Sequence, residues 1–358
     1  MSKPILPAIL SCNGYQLSDE EKKLFNTIHP AGINLFSRNI KDPQQLQALI
    51  QSIYQTIESN DILIAIDQEG GRVRRLTDTF YHSTAAAIDI GTLPIDKALR
   101  AAYLHAEITS YDMLKSHLNT NYAPVLDIMH ADTTPALKSR CFNSDPQIVT
   151  LLAQKMIETY IKNGIAPCIK HLPGHGRAIS DPHLNLPIIS ASIKELEKDF
   201  YPFQHLNNSP FGMTAHIIIE AIDPLYPATQ SSKVINNIIR QHIGFDGLLI
   251  SDAIDMHALK GSIAEKALNS LQAGCDIICY AGGNINELKQ IAASCHPMSD
   301  KSLERFAKVK KITYHKKNID DIASLYDEYQ SLLSAIYPYQ DKYDATEVLN
   351  IMNNTKFN

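Results

Sequence analysis

Eight short apolar runs recur along this chain at intervals long enough to hold a helix: residues 5–10, 32–36, 62–67, 121–127, 165–171, 211–216, 247–252 and 276–280. Most are continuous Ile, Leu, Val and Ala stretches without strict alternation, as expected of strands covered on both faces. The intervals between them carry helix signals. Ser18-Asp19-Glu20-Glu21 has the spacing of a capping box, and Asp42-Pro43 places an acceptor ahead of a first-turn proline. Eight strand–helix repeats predict a (β/α)8 barrel, a fold that takes roughly 250 residues or more. A doubly wound open sheet is the alternative arrangement of the same elements. We assign residues 1–300 to a catalytic barrel and 301–358 to a helical extension packed outside it. Residues 324–336 form its clearest amphipathic segment, and the last twenty residues read as loosely held.

Composition narrows the class. Of the 358 residues, 44% are hydrophobic and 20% charged, with a net charge of −5, which gives no basic footprint for nucleic acid. No apolar run approaches the ~20 residues needed to span a bilayer. The apolar stretch near the amino terminus is too short for a signal-peptide core. The six cysteines, at 12, 141, 168, 275, 279 and 295, form no CxxC pairs and read as reduced thiols. These features predict a soluble, cytoplasmic protein with no membrane or nucleic-acid partner, and we take it as a monomer without a cofactor.

Barrel active sites lie at the carboxyl ends of the strands, and polar residues gather there. The third run ends in Asp67-Gln68-Glu69-Gly70-Gly71-Arg72-Val73-Arg74-Arg75, and the fourth in Asp127, with Arg140 in the loop beyond. The fifth ends in Lys170-His171, the sixth in His216 and the seventh in Ser251-Asp252. After the fifth comes a bend-rich loop, Leu172-Pro173-Gly174-His175-Gly176, leading to Asp181-Pro182-His183. Asp252 suits a carboxylate nucleophile of the kind that forms a glycosyl-enzyme at an anomeric carbon. His183 suits the group that protonates the leaving oxygen and then activates water. Asp181, two residues earlier, can orient its ring, as the third member of a triad does. Lys170, His171, Arg75, Arg140 and Asp67 offer the donors and acceptors that sugar hydroxyls need. His175, set between two glycines, reads as a brace for the loop.

At these residues the chain resembles glycoside hydrolase family 3, in particular its bacterial single-domain β-N-acetylglucosaminidases. The resemblance spans about residues 5–295. It rests on 32–39 (GINLFSRN), 66–75 (IDQEGGRVRR), 121–128 (NYAPVLDI), 139–146 (SRCFNSDP), 170–183 (KHLPGHGRAISDPH), 213–217 (MTAHI) and 244–256 (GFDGLLISDAIDM). It implies Asp252 as nucleophile, His183 with Asp181 as acid/base dyad on a mobile loop, and Asp67, Arg75, Arg140, Lys170 and His171 as the groups that hold the non-reducing sugar. It further implies removal of GlcNAc from GlcNAc-1,6-anhydro-muropeptides during cell-wall recycling. Three positions depart from the family pattern: Leu172 replaces the usual phenylalanine, Pro182 a common serine, and Arg177 a frequent acidic residue. Pro182 fixes its own backbone and removes a donor within the dyad.

The residues leave other readings open. His171, His175, His183 and Asp181 also make a zinc-ligand set, although their spacing matches no HExxH-type signature. A neutral histidine acid/base admits phosphate as acceptor, which would make the protein a phosphorylase. A β-glucosidase and a non-catalytic sugar-binding barrel keep the fold and change the outcome. Gly70-Gly71 and Gly282-Gly283 lack the GxGxxG turn of a dinucleotide site.

Overall fold

Eight parallel strands close into a barrel in chain order. They are β1 (Leu6–Ser11), β2 (Pro30–Leu35), β3 (Leu63–Ile66), β4 (Thr120–Asn121), β5 (Ala166–Leu172), β6 (Phe211–Thr214), β7 (Leu248–Ala253) and β8 (Ile277–Cys279). The computed structural model describes residues 4–339 except 60, 183, 184, 316, 335 and 337. The closed barrel disposes of the open-sheet alternative, because β1 pairs with both β2 and β8.

Why the runs read as unbroken hydrophobic stretches is now plain. Alternate residues point to opposite sides of a strand. Ile9, Leu63, Ala65, Cys168, Met213, Leu248, Ile250 and Ile277 fill the interior, while Leu10, Ile33, Ile64, Ile66, Ile169 and Leu249 face the helices. β4 is the exception to the expected length. Of the run predicted for 121–127, only Asn121 lies in regular strand; beyond it Tyr122 still donates to the Ile66 carbonyl at 2.9 Å, the Ala123 carbonyl accepts the Cys168 N–H at 3.1 Å and Val125 bridges to Lys170, while Pro124 has no N–H to give the ladder.

The predicted helix starts are present and set the strand spacing. Ser18 and Glu21 close a capping box, and Asp42 accepts from the Gln45 N–H at 2.8 Å ahead of Pro43. The helix Pro146–Asn163 ends on Gly164 at φ 83°, and β5 begins two residues later.

Of the two carboxyl-terminal helices, both expected outside the barrel, the first closes one of its ends. Met298 and, from the helix Asp300–Thr313, Phe306 and Val309 turn into the interior cluster and close the lower mouth of the barrel. Charge fixes that plug. Asp276, just ahead of β8, accepts from Ser302 Oγ (2.8 Å), Arg305 (3.0 Å), Arg240 (2.7 Å) and the Leu249 N–H (2.8 Å). The helix Ile322–Leu333 instead lies against the helix Ile95–Lys115, and the final residues expected to be loose lie outside the described residues. Its buried Tyr329 reaches inward: the hydroxyl accepts the Ala85 N–H at 3.0 Å and meets His105 Nδ1 at 3.1 Å. His105 and Ala85 in turn close around Gly70 (φ +101°), where an added Cβ would lie 2.3 Å from the Ala85 carbonyl oxygen. A distant helix therefore supports the loop that leaves β3.

Tyr329→Phe keeps the ring and strands the Ala85 N–H and the His105 nitrogen. Urea unfolding should show a loss of about 1–3 kcal/mol, and an unchanged midpoint would show that the hydroxyl is idle.

Candidate active site

The polar strand tips meet in one cleft at the carboxyl end of the barrel. Asp67, Arg75, Arg140, Lys170 and His171 line it, together with Asp252 and, from the loop after β5, Asp181 and Pro182. Seven of the eight residues given a catalytic or sugar-binding role from the sequence are thus brought together. The exception is His183, which lies outside the described residues.

The cleft is organised around Glu69, which the sequence reading passed over. Asp67 and Glu69 are two apart on extended backbone leaving β3, so both turn to the same side. Lys170 Nζ donates to Asp67 Oδ1 (3.0 Å) and Glu69 Oε1 (2.6 Å). Arg140 grips Glu69 with two parallel bonds of 2.8 Å, Nε to Oε2 and Nη2 to Oε1. Gln68, between the two acids, points the other way. Its Oε1 accepts the Arg75 (2.9 Å) and Leu76 (3.1 Å) N–H groups, and Asn121 pairs with its backbone through two 3.0 Å bonds. Arg75 reaches Asp67 at 3.5 Å and lies over the Phe36 ring, 5.6 Å from its centroid. The signal that could have found Glu69 is that period of two from Asp67.

These partners decide the charges. Burial pushes the carboxyls of Asp67 and Glu69 up, but the cations beside them outweigh it. Lys170 and then Arg75 hold Asp67 below the usual carboxylate range, and Arg140 with Lys170 holds Glu69 far below it. Burial likewise opposes the Lys170 ammonium, yet Glu69 and Asp67 raise it above its ordinary value. All three groups stay ionised through neutral pH.

Asp127, fully buried at the turn after β4, orders the next layer. One oxygen meets His171 Nδ1 at 2.6 Å, and the other accepts the His175 (2.6 Å) and His171 (3.3 Å) backbone N–H groups. With Nδ1–H committed to Asp127, His171 Nε2 carries the lone pair toward Arg140 Nη2 at 3.4 Å. His175 does brace the loop, but through its backbone. Its ring has no hydrogen-bond partner among the described residues and lies edge-on to His171, 5.7 Å between centroids, in the wall of the cleft.

Asp252 stands at the tip of β7 on a braced backbone. Its N–H donates to Thr214 Oγ1 at 3.4 Å, and its Oδ1 accepts the Ala253 N–H at 2.8 Å. His216, chosen as a polar strand end, stays out of the cleft and supports it. Its Nδ1 meets Thr229 Oγ1 at 2.8 Å, and Nε2 donates to the Ala253 carbonyl at 3.0 Å. Asp255, three residues beyond Asp252, also lines the cleft; burial raises its carboxyl, and the Ala281 N–H bonds it at 2.9 Å.

Two of the positions that depart from the family pattern have defined surroundings. Arg177 pairs with buried Asp199 at 2.6 Å and with the Glu195 carbonyl at 3.0 Å, while His130 Nε2 meets the other Asp199 oxygen at 2.7 Å. The loop after β5 is thereby tied to the helix Ile193–His205. Leu172 is buried beside Gly212. Among the described residues no three His, Cys, Asp or Glu side chains converge as a metal site, and all six cysteines are unpaired thiols.

Residues 7–310 match the model of the glycosyl hydrolase family 3 N-terminal domain. A β-hexosaminidase of Alkalilimnicola ehrlichii is 35% identical over 279 residues, covering 76% of this chain and 79% of that protein. One of Psychromonas ingrahamii is 35% identical over 280 residues, covering 76% and 81%. The structure superposes on Neisseria gonorrhoeae NagZ in complex with N-trifluoroacetyl-D-glucosamine with a TM-score of 0.81. That match has 26% identity and covers 92% of this chain and 98% of that one. No helix among the described residues is long and apolar enough to cross a membrane.

Two outcomes follow from this geometry. Glu69→Gln leaves Lys170 and Arg140 buried beside half a partner; equilibrium unfolding should show a loss of about 3–5 kcal/mol, and stability near that of the wild type would remove Glu69 from its central place. The second concerns acid. Burial holds the imidazoles of His105 and His175 down at about 4, against 6.5 for an exposed ring. Between those values the unfolded chain binds more protons than the folded one, so stability is full above pH 6.5 and declines toward pH 4. Melting temperatures across that window check this, and a flat profile would contradict it.

Proposed function

The chain belongs to glycosyl hydrolase family 3, and from that membership we propose that this glycoside hydrolase removes non-reducing β-linked GlcNAc with retention of configuration. Asp252 attacks the anomeric carbon and forms a glycosyl ester. His183, oriented by Asp181, protonates the departing oxygen and then takes a proton from the water that frees the sugar. One observation carries the reading. A single cleft is lined by Asp252 on a braced strand tip, by Asp181 on the loop after β5 and by the pairs of Asp67 with Lys170 and Arg75.

The binding side is supported by what those pairs leave unspent. Lys170 uses two of its three ammonium hydrogens on Asp67 and Glu69 among the described residues, and Asp67 keeps acceptor lone pairs beside it. Adjacent donors and acceptors suit the vicinal hydroxyls of a pyranose. GlcNAc specificity draws support from the β-hexosaminidase relatives and from the N-acetylglucosamine analogue held by the Neisseria protein. Within that class we assign muropeptide fragments bearing GlcNAc-1,6-anhydroMurNAc as the substrate, acted on in the cytoplasm by a monomer that requires no metal.

The decisive experiment compares p-nitrophenyl β-GlcNAc with p-nitrophenyl β-glucoside. GlcNAc turnover should dominate, with β-GlcNAc as the first product by proton NMR; dominant glucoside cleavage or an α product overturns the reading. GlcNAc-1-phosphate formed in phosphate buffer would make the enzyme a phosphorylase. Asp252→Ala should abolish turnover, and His183→Ala should slow substrates with poor leaving groups about 100- to 10,000-fold. A mechanism-based label on any residue other than Asp252 would displace the nucleophile.

A further inference from the structure

The ring of His175 hydrogen-bonds no described residue. The residue is 3% exposed, and both Nδ1 and Nε2 are buried without a hydrogen-bond partner among the described residues. Burying polar atoms in that condition costs about 1–3 kcal/mol for each one, so a ring left that way in the wall of a cleft calls for an explanation.

The backbone makes the ring's position deliberate. The His175 N–H is fixed on Asp127 Oδ1 at 2.6 Å, and its carbonyl accepts the Ala178 N–H at 3.0 Å. Gly176 lets this turn press against β4's exit, since an added Cβ there would lie 1.9 Å from the Ile128 carbonyl oxygen. Thr133 Oγ1 donates to the Gly176 carbonyl at 2.6 Å and closes the turn from the other side. The ring so placed forms part of the cleft wall that includes His171 and Asp252.

We propose that the His175 ring hydrogen-bonds a hydroxyl of the sugar bound beside Asp252, acting as a substrate contact alongside Lys170 and His171. A hydroxyl both donates and accepts, and a neutral imidazole offers one N–H and one lone pair to match it. Burial keeps the ring in that form, holding it at about 4 against the opposing charge of Asp127. His171 differs because its Nδ1 is committed to Asp127, so the two rings can serve different atoms of one sugar. The proposal rests on the glycosidase reading above and adds a contact to it.

The test is a cycle between protein and substrate. Wild type and His175→Phe are assayed on p-nitrophenyl β-GlcNAc and its 3-, 4- and 6-deoxy analogues, with melting temperature recorded for each protein. The wild type should lose about 5- to 150-fold in kcat/KM on one analogue. His175→Phe should lose a similar factor on the parent sugar and nothing further on that analogue. Wild-type kcat/KM in the variant, or deoxy losses that simply multiply with the variant's own, overturns the contact and leaves a structural role. If His175→Phe does not fold, the same cycle with His175→Gln decides. Should the wild type prefer glucosides, the cycle run on deoxy-glucosides still tests His175 while the GlcNAc assignment falls.

Discussion

The active end of this barrel depends on a carboxylate out of reach of bulk water. Glu69 receives Lys170 from β5 and Arg140 from the loop after β4, so three separate elements share one buried charge. Taking such ions from water is expensive, and only close pairing with saturated hydrogen bonding offsets it. That cost has a consequence for specificity. The cations cannot swing to follow a ligand without abandoning Glu69, so the donors are in place before sugar arrives and little ordering remains to be done on binding.

Around this centre the support is mostly backbone hydrogen bonding to side chains of neighbouring strands. Asp127 fixes the turn that carries His171 and His175, Asn121 and Gln68 fix the loop that carries Arg75, and Tyr329 supports that loop from the far side. These buried backbone N–H groups are met by side-chain acceptors, so the loops are ordered with little regular structure of their own. At the lower mouth Asp276 plays the corresponding part, holding Arg240, Arg305 and the plug helix to the start of β8.

The architecture was legible because strands buried on both faces leave an unmistakable run of Ile, Leu and Val, and because capping boxes mark where helices begin. Asp252, Lys170 and His171 were legible for a related reason: each is a polar residue closing an apolar run. Glu69 escaped since it lies past the strand end among other charged residues, where only the period of two from Asp67 marks it as turning inward. The plug helix escaped because Lys301, Glu304, Lys308 and Lys311 dominate its composition, while Phe306 and Val309 supply the apolar face that enters the barrel. β4 was read too long because a hydrophobic run cannot report that Pro124 lacks an N–H.

The supports of the two reacting groups differ, and the difference suits their work in the proposed reaction. A nucleophile has one line of approach to an anomeric carbon, so it gains from rigidity. Asp252 has it: Thr214 takes its N–H, His216 holds the carbonyl of Ala253, and Ser251 Oγ accepts the Cys279 N–H at 3.0 Å from β8. Proton transfer makes the opposite demand, because the acid/base must serve a departing oxygen first and a water afterwards. Asp181 and Pro182 are carried on a loop whose base is pinned by Asp127, Thr133 and Asp199, while Ile179 between base and tip is 71% exposed. In the proposed reaction, then, the single-position task falls to a strand and the two-position task to a loop.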